Sequence, residues 1–335
     1  MRSTHSELDA IRTTACPRCF VCHSDGQYIY EDLHDPYFGA PGSWALKQCQ
    51  NPACALLWLD PKPVSEDLWK AYKAYHTHSY SPSKETFGVR LLRGAIRLIV
   101  LPVNLLDGLA YQRKRLRYMF LDQVGPGSLL EIGFGRGRFL NRMRKAGWDV
   151  EGIDSDPEAA LRVMNKYRLH VHARELTEMR YDSNRFDAIA MSHSIEHLYD
   201  PSAILEECHR ILKPGGLVAI TTPNAQSFAH RLYGRYWRGL EPPRHLHVFS
   251  PGALSTLVDH LGFELVMSST LSCNSAGIHY ASEALCARSK NRFRSMNAVW
   301  SVVRSFQHQQ EEYRECRRGV RSGQDLLTIA RKPFR

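Results

Sequence analysis

The sequence predicts an α/β fold: a doubly wound, mostly parallel sheet, with a small cysteine-rich module ahead of it. Three observations carry this expectation. From Gly125 onward, short apolar runs alternate with amphipathic stretches, which is the texture of strand–helix units. A glycine-rich turn, Gly133-Phe-Gly135-Arg-Gly137, joins the first apolar run to the first amphipathic stretch. Five of the nine cysteines fall within the first 54 residues.

At 335 residues the chain suits roughly two domains and can bury a sizeable core. Its 43% hydrophobic and 23% charged content excludes disorder, collagen and coiled coil as whole-chain readings. The opening stretch MRSTHSELDAIRTT lacks the apolar run of a secretory signal. The run Leu98 to Leu106 has about half of the ~20 residues a spanning helix needs. A cytoplasmic protein without a transmembrane helix is therefore expected. In that setting, clustered cysteines point to a metal site and not to disulfides.

In chain order, residues 15–62 read as a loop-and-hairpin module, rich in Cys, Pro, Gly and aromatics. Residues 63–124 read as a helical connector, with Ser65 as an N-cap and Pro102 as a kink. From 125 to 335 a single large domain is expected, with a basic helical insertion over 273–324. Within it SLLEI, WDVEGID, RLHVHA, FDAIAMS, LVAITTPN, FELVMSSTLS and DLLTIARKP read as strands. SPGALSTLVDHLG reads as a helix capped by Ser250 and ended by Gly262.

The glycine turn discriminates between ligands. Dinucleotide binding wants G-x-G-x-x-G/A, but the last position counted from Gly133 is Arg138. A P-loop is excluded because no Gly-Lys-Ser/Thr follows. The turn is instead G-x-G-x-G, with Glu131 two residues ahead. The second strand ends in Gly152-Ile153-Asp154, where an acid can accept both hydroxyls of a ribose.

With Glu131-Ile-Gly133-Phe-Gly135-Arg-Gly137-Arg-Phe139, GID, FDAIAMSHSIEHLYDP and LKPGGLVAITTPN in register, the chain resembles the class I S-adenosylmethionine-dependent methyltransferases over about residues 125–270. The resemblance implies a Rossmann-like seven-stranded sheet whose last strand is antiparallel. It implies a cofactor set of Glu131, Gly133, Gly135, Gly137, Asp154 and Ser155. Met191, Ser192 and His193, just past the fourth strand, would line the methionine side. The acid that many relatives place after the third strand falls here at Ala173-Arg174-Glu175.

Methyl transfer from a sulfonium needs no acid for its neutral leaving group. A base is needed only where the acceptor must lose a proton. The candidates are His197, after the fourth strand, and His245 and His247 in Glu241-Pro-Pro-Arg-His-Leu-His-Val-Phe-Ser. That last stretch resembles a segment of small-molecule and sugar methyltransferases. Tyr233, Tyr236 and Trp237, with Arg231, Arg235 and Arg238, suggest a lid or interfacial patch, or else a plain packed helix.

Cys19-Phe-Val-Cys22 and Cys49-Gln-Asn-Pro-Ala-Cys54 are two pairs about thirty residues apart. They suit a structural Cys₄ zinc site. Cys16 offers a competing C-x₂-C with Cys19. The module resembles zinc ribbons that precede methyltransferases of this type, with C-x₄-C in place of their second C-x₂-C.

The net charge of +10 is concentrated. Residues 286–335 carry twelve Lys/Arg and four Asp/Glu; residues 88–118 carry seven and one. These segments suit solvated helix faces or a peripheral contact with an anionic membrane. The function expected is methyl transfer to a small-molecule, sugar or lipid-linked acceptor. The alternatives are an RNA methyltransferase and a non-catalytic cofactor-binding protein. Against RNA, the site of an Asn/Asp-Pro-Pro-aromatic tetrad reads His193-Ser-Ile-Glu-His.

Overall fold

The computed structural model describes residues 10–73, 108–289 and 298–334. The apolar run at 98–106, Pro102 and most of the basic stretch 88–118 lie outside them. The described residues group into two compact units. One draws on Met1–Ile96, Pro223–Ala253 and Asn274–Gln324; the other on Arg97–Thr222, Leu254–Cys273 and Asp325–Arg335. Segments distant in sequence are interleaved, because pairing and packing are non-local.

The second unit holds a seven-stranded sheet: β1 Ser128–Ile132, β2 Asp149–Asp154, β3 His170–Ala173, β4 Phe186–Ser192, β5 Leu212–Pro223, β6 Glu264–Leu271 and β7 Asp325–Arg331. Their order is β3-β2-β1-β4-β5-β7-β6. The pairs β1–β2, β2–β3, β1–β4 and β4–β5 are parallel, and β6–β7 is antiparallel. Gly215 N–H donates to the Lys332 carbonyl and Lys332 N–H to the Gly216 carbonyl, which sets β7 beside β5. Continuous apolar runs suit strands covered on both faces. Leu129, Leu130, Ala188 to Met191 and Val218 to Ile220 are all fully buried.

Helices Arg138–Lys145, Pro157–Tyr167 and Pro201–Ile211 connect the parallel strands. The last two start where they do because Asp156 and Asp200 accept N–H bonds from their first turns, each followed by Pro. At the strand origins, Asp187 accepts from Ser128 N–H and Oγ–H and pairs with Lys213 at 2.7 Å. That acid ties β1 to β4 and is structural.

The first unit contains a four-stranded antiparallel sheet. Its order is His247–Val248, Leu57–Leu59, Trp44–Cys49 and Gly26–Leu33. His247 pairs with Trp58, so the short strand that bears it is an edge strand of the cysteine module. Ser65 is not a cap. The helix Ser65–Tyr72 is a 3₁₀ helix entered from Val64, and buried Asp67 binds Arg12 at 2.9 Å. Helices Phe228–Tyr233, Ser275–Ser289 and Ala298–Arg317 complete the unit. Helix Pro251–His260 begins at Ser250, which accepts from Ala253 N–H. Gly262 follows it at φ +80°.

No described helix is long and apolar enough to cross a membrane. Of the aromatic residues at 233–237, which suggest a lid or interfacial patch or else a plain packed helix, the tryptophan is packed inside. Trp237 is buried, stacks on His230 at 4.8 Å and donates to Gln324. Arg231 pairs with Glu315, Arg235 donates to the carbonyls of Glu31 and Asp32, and Arg238 pairs with Glu241.

Candidate functional site

The cofactor-binding candidates converge at the carboxyl ends of β1, β2 and β4. Gly133, Gly135 and Gly137 have φ of +77°, +50° and +63°, a region L-residues with side chains rarely adopt. A Cβ at Gly133 would lie 2.8 Å from Ser194, and one at Gly137 would lie 2.7 Å from Val163. A Cβ at Gly135 would meet nothing within 4 Å, so the turn is open there. Asp154 holds the turn: one carboxylate oxygen accepts Gly135 N–H at 2.9 Å, the other Asp156 N–H at 3.0 Å. Ser155 is exposed beside it.

Glu131 is buried, and its Oε2 has no hydrogen-bond partner. Burial, and then the nearby charge of Asp154, pushes its carboxyl well above the usual carboxylate range. A buried carboxyl oxygen without a partner suits an incoming ammonium, and the open glycine turn leaves room for a nucleoside. These residues therefore fit S-adenosylmethionine.

Met191 and Ser192 are not past the fourth strand. Both lie within β4, because pairing with β5 continues through Ser192 and Thr221, and Met191 is fully buried. His193 does follow it, at φ +53°, with its side chain 46% exposed. Desolvation works against its cation, but Glu196 and Asp325 outweigh this and push it up to about 9. Glu196 is fully buried, accepts from Thr222 Oγ–H at 2.9 Å, and lies 3.5 Å from His193 Nδ1. The sequence reading missed the parts played by Thr222 and Asp325. The TTPN end of β5 was the available signal for the first; distance along the chain hid the second. His197 ends a 3₁₀ turn, Ile195–His197, and is half-buried.

His245 and His247 belong to the first unit, and both are buried. His247 packs its ring against Phe20 and Phe249 at 4.7 and 6.3 Å. His245 Nδ1 lies 2.8 Å from the Gly239 carbonyl. A carbonyl only accepts, so Nδ1 carries a proton. Glu241 Oε2 is 3.9 Å from Nε2. Burial would raise the Glu241 carboxyl, but Arg238, His245 and Arg244 hold it down at about 2. Arg244 is fully buried, binds Glu241, and grips Asp35 with two bonds of 2.7 and 2.9 Å.

Cys19, Cys22, Cys49 and Cys54 come together with all four sulfurs within 4.8 Å of one another. The closest pairs are Cys19–Cys54 at 3.6 Å and Cys22–Cys49 at 3.3 Å. Tetrahedral zinc with ~2.3 Å Zn–S bonds requires S···S edges of about 3.8 Å, so the set fits that ion. Cys54 Sγ, as the largest influence, holds the Cys19 thiol down at about 5, with backbone N–H groups of Cys22 and Val21 assisting. Cys16 stands outside the group: its N–H donates to Asp60 and its carbonyl accepts from Trp58. Ser250 Oγ–H donates to the Cys54 carbonyl, and a Cβ at Gly252 would collide with the Ala53 carbonyl. The stretch bearing His245 and His247 is thus seated on the second cysteine loop.

The strand order, the glycine turn and the acids at the ends of β1 and β2 support a class I S-adenosylmethionine-dependent methyltransferase domain. Residues 108–268 match the family model of a methyltransferase domain. A ubiquinone biosynthesis O-methyltransferase of Cereibacter sphaeroides is 33% identical over 153 residues, 41% of this chain and 60% of that protein. One from Pseudomonas aeruginosa is 31% identical over 125 residues, 34% of this chain and 53% of the relative. The chain thus spans 60% or less of the length of these relatives. A solved S-adenosylmethionine-dependent methyltransferase of Archaeoglobus fulgidus is 21% identical, with TM-score 0.43, covering 67% of this chain and 92% of that one.

Proposed function

We propose that this protein methylates a hydroxyl of a small-molecule acceptor, with His245 as general base and with a structural zinc on Cys19, Cys22, Cys49 and Cys54. The observation that carries the reading is the fixed tautomer of His245. Its Nδ1–H is committed to Gly239, and Glu241 stands beside Nε2. Bound S-adenosylmethionine supplies a methyl on a sulfonium whose departing thioether is neutral. The residues of this chain do the rest. Asp154 takes the ribose hydroxyls, Glu131 the ammonium, and the glycine turn admits the nucleoside. The acceptor loses its proton as the new O–CH₃ bond forms and the S–CH₃ bond breaks, and His245 is the candidate base for that proton. Glu241 stabilises the resulting imidazolium. Four thiolates leave zinc no open position, so its role is to shape the module.

The O-methyltransferase relatives support a small hydroxylated acceptor. An RNA acceptor is disfavoured because Arg231, Arg235 and Arg238 are occupied by internal acceptors. His247 is the weaker candidate, since its ring packs against Phe20 and Phe249. The test uses radiolabelled S-adenosylmethionine with a panel of catechol and phenol acceptors. In His245→Gln, turnover should fall by about 10²–10⁴ while S-adenosylhomocysteine binding, read by calorimetry, is retained. Wild-type turnover in that variant refutes the assignment.

A further inference from the structure

A second group of metal-ligating side chains lies in the sheet, outside the cofactor cradle. His170 and His172 are two apart on β3, so both project from one face of this edge strand. Glu151 on β2 is the register partner of His170 and shares that face. One ligand atom from each of the three lies within 4.8 Å of the others. His172 Nε2 and Glu151 Oε1 are 3.1 Å apart, close to the ~3.3 Å edge between N and O ligands around an ion with bonds of about 2.0–2.1 Å. The two imidazole rings meet edge to face at 4.5 Å.

We infer that Glu151, His170 and His172 form a site for a borderline divalent transition ion, such as Zn²⁺ or Ni²⁺, clipping β3 to β2. Two imidazoles and one carboxylate select such ions over Mg²⁺ or Ca²⁺. The carboxylate is already oriented. Tyr181 O–H donates to Oε1 at 2.5 Å, and Arg185 donates to Oε2 at 2.6 Å. Those partners steady the ligating oxygen from behind, as outer-shell groups do in metal sites. Arg185 rests on the Tyr181 ring at 4.5 Å, which anchors it on that side. Glu151 is buried while His170 is exposed, so the fixed ligand sits at the bottom and an open coordination position faces solvent. The ion binds neutral imidazoles and an ionised carboxylate, so affinity falls at acid pH.

The test is calorimetric titration of the full chain with Ni²⁺, after loading with one equivalent of zinc, which the four thiolates take first. Wild type should bind close to one equivalent. His170→Ala and His172→Ala should each weaken that binding at least tenfold, with unchanged far-UV circular dichroism. Both side chains have solvent exposure, so these variants keep the fold. Binding of wild-type strength in the double variant overturns the site, and so does the absence of nickel binding by the wild-type protein.

Discussion

Glu131 is a buried carboxyl with one oxygen lacking a partner and a raised proton affinity, at the end of the first strand of the sheet. Ammonium binding there favours the carboxylate, so cofactor binding should release a proton. Calorimetry of S-adenosylhomocysteine binding at neutral pH, in buffers of different ionisation enthalpy, should show that release; none would contradict the assignment. Glu131→Gln should weaken S-adenosylhomocysteine binding by about 10–100-fold, the range for a charge-assisted hydrogen bond. His193 titrates in a different window. Its folded value, about 9, lies above the ordinary 6.5, so its stabilising contribution is present below pH 6.5 and is lost as pH rises toward 9. His193→Gln should flatten the fall in melting temperature between those pH values. At this scale, residues inside local motifs were legible: Glu131, Asp154 and the three glycines share one turn and two strand ends. Thr222 and Asp325 were not, because their partners, Glu196 and His193, lie in a turn remote from them in sequence.

Among the elements, the glycine turn separates conformation from packing. Gly137 needs its positive φ and also touches Val163 of the following helix, so a methyl there is both strained and crowded. Gly137→Ala should destabilise the protein by about 1–3 kcal/mol, read by denaturant unfolding. Gly135 faces open space, so Gly135→Ala should cost S-adenosylhomocysteine affinity more than Gly137→Ala does. Equal effects of the two on affinity and stability would contradict this division. The seven strands and the helices between them were legible from periodicity and caps. The short strand His247–Val248 was not, since two residues carry no period and its partner is Trp58.

Over the whole molecule, the cysteine module and the histidine-bearing stretch form one unit although they are far apart in sequence. Ser250 and Gly252 rest on the carbonyls of Cys54 and Ala53, so the shape of that loop governs the seat of His245. Metal analysis should find zinc near one per chain in the wild type and a clear deficit in Cys54→Ala. Chelation should abolish turnover while leaving S-adenosylhomocysteine affinity within about twofold, because structural zinc organises only the module it binds. Turnover that survives complete zinc removal would separate the two functions.

The sequence by itself determined the alternating strands and helices, the glycine turn and the cysteine pairs, which are written in local periodicity and in residue spacing. The reversed last strand and the cofactor class came from the resemblance those motifs carry. Only the tertiary structure decided which histidine carries a fixed tautomer, that residues 223–253 and 274–324 group with the cysteine module, and that Glu151 faces two histidines across neighbouring strands. Those features arise from strand register and burial between segments remote in sequence, and no local pattern encodes such pairings.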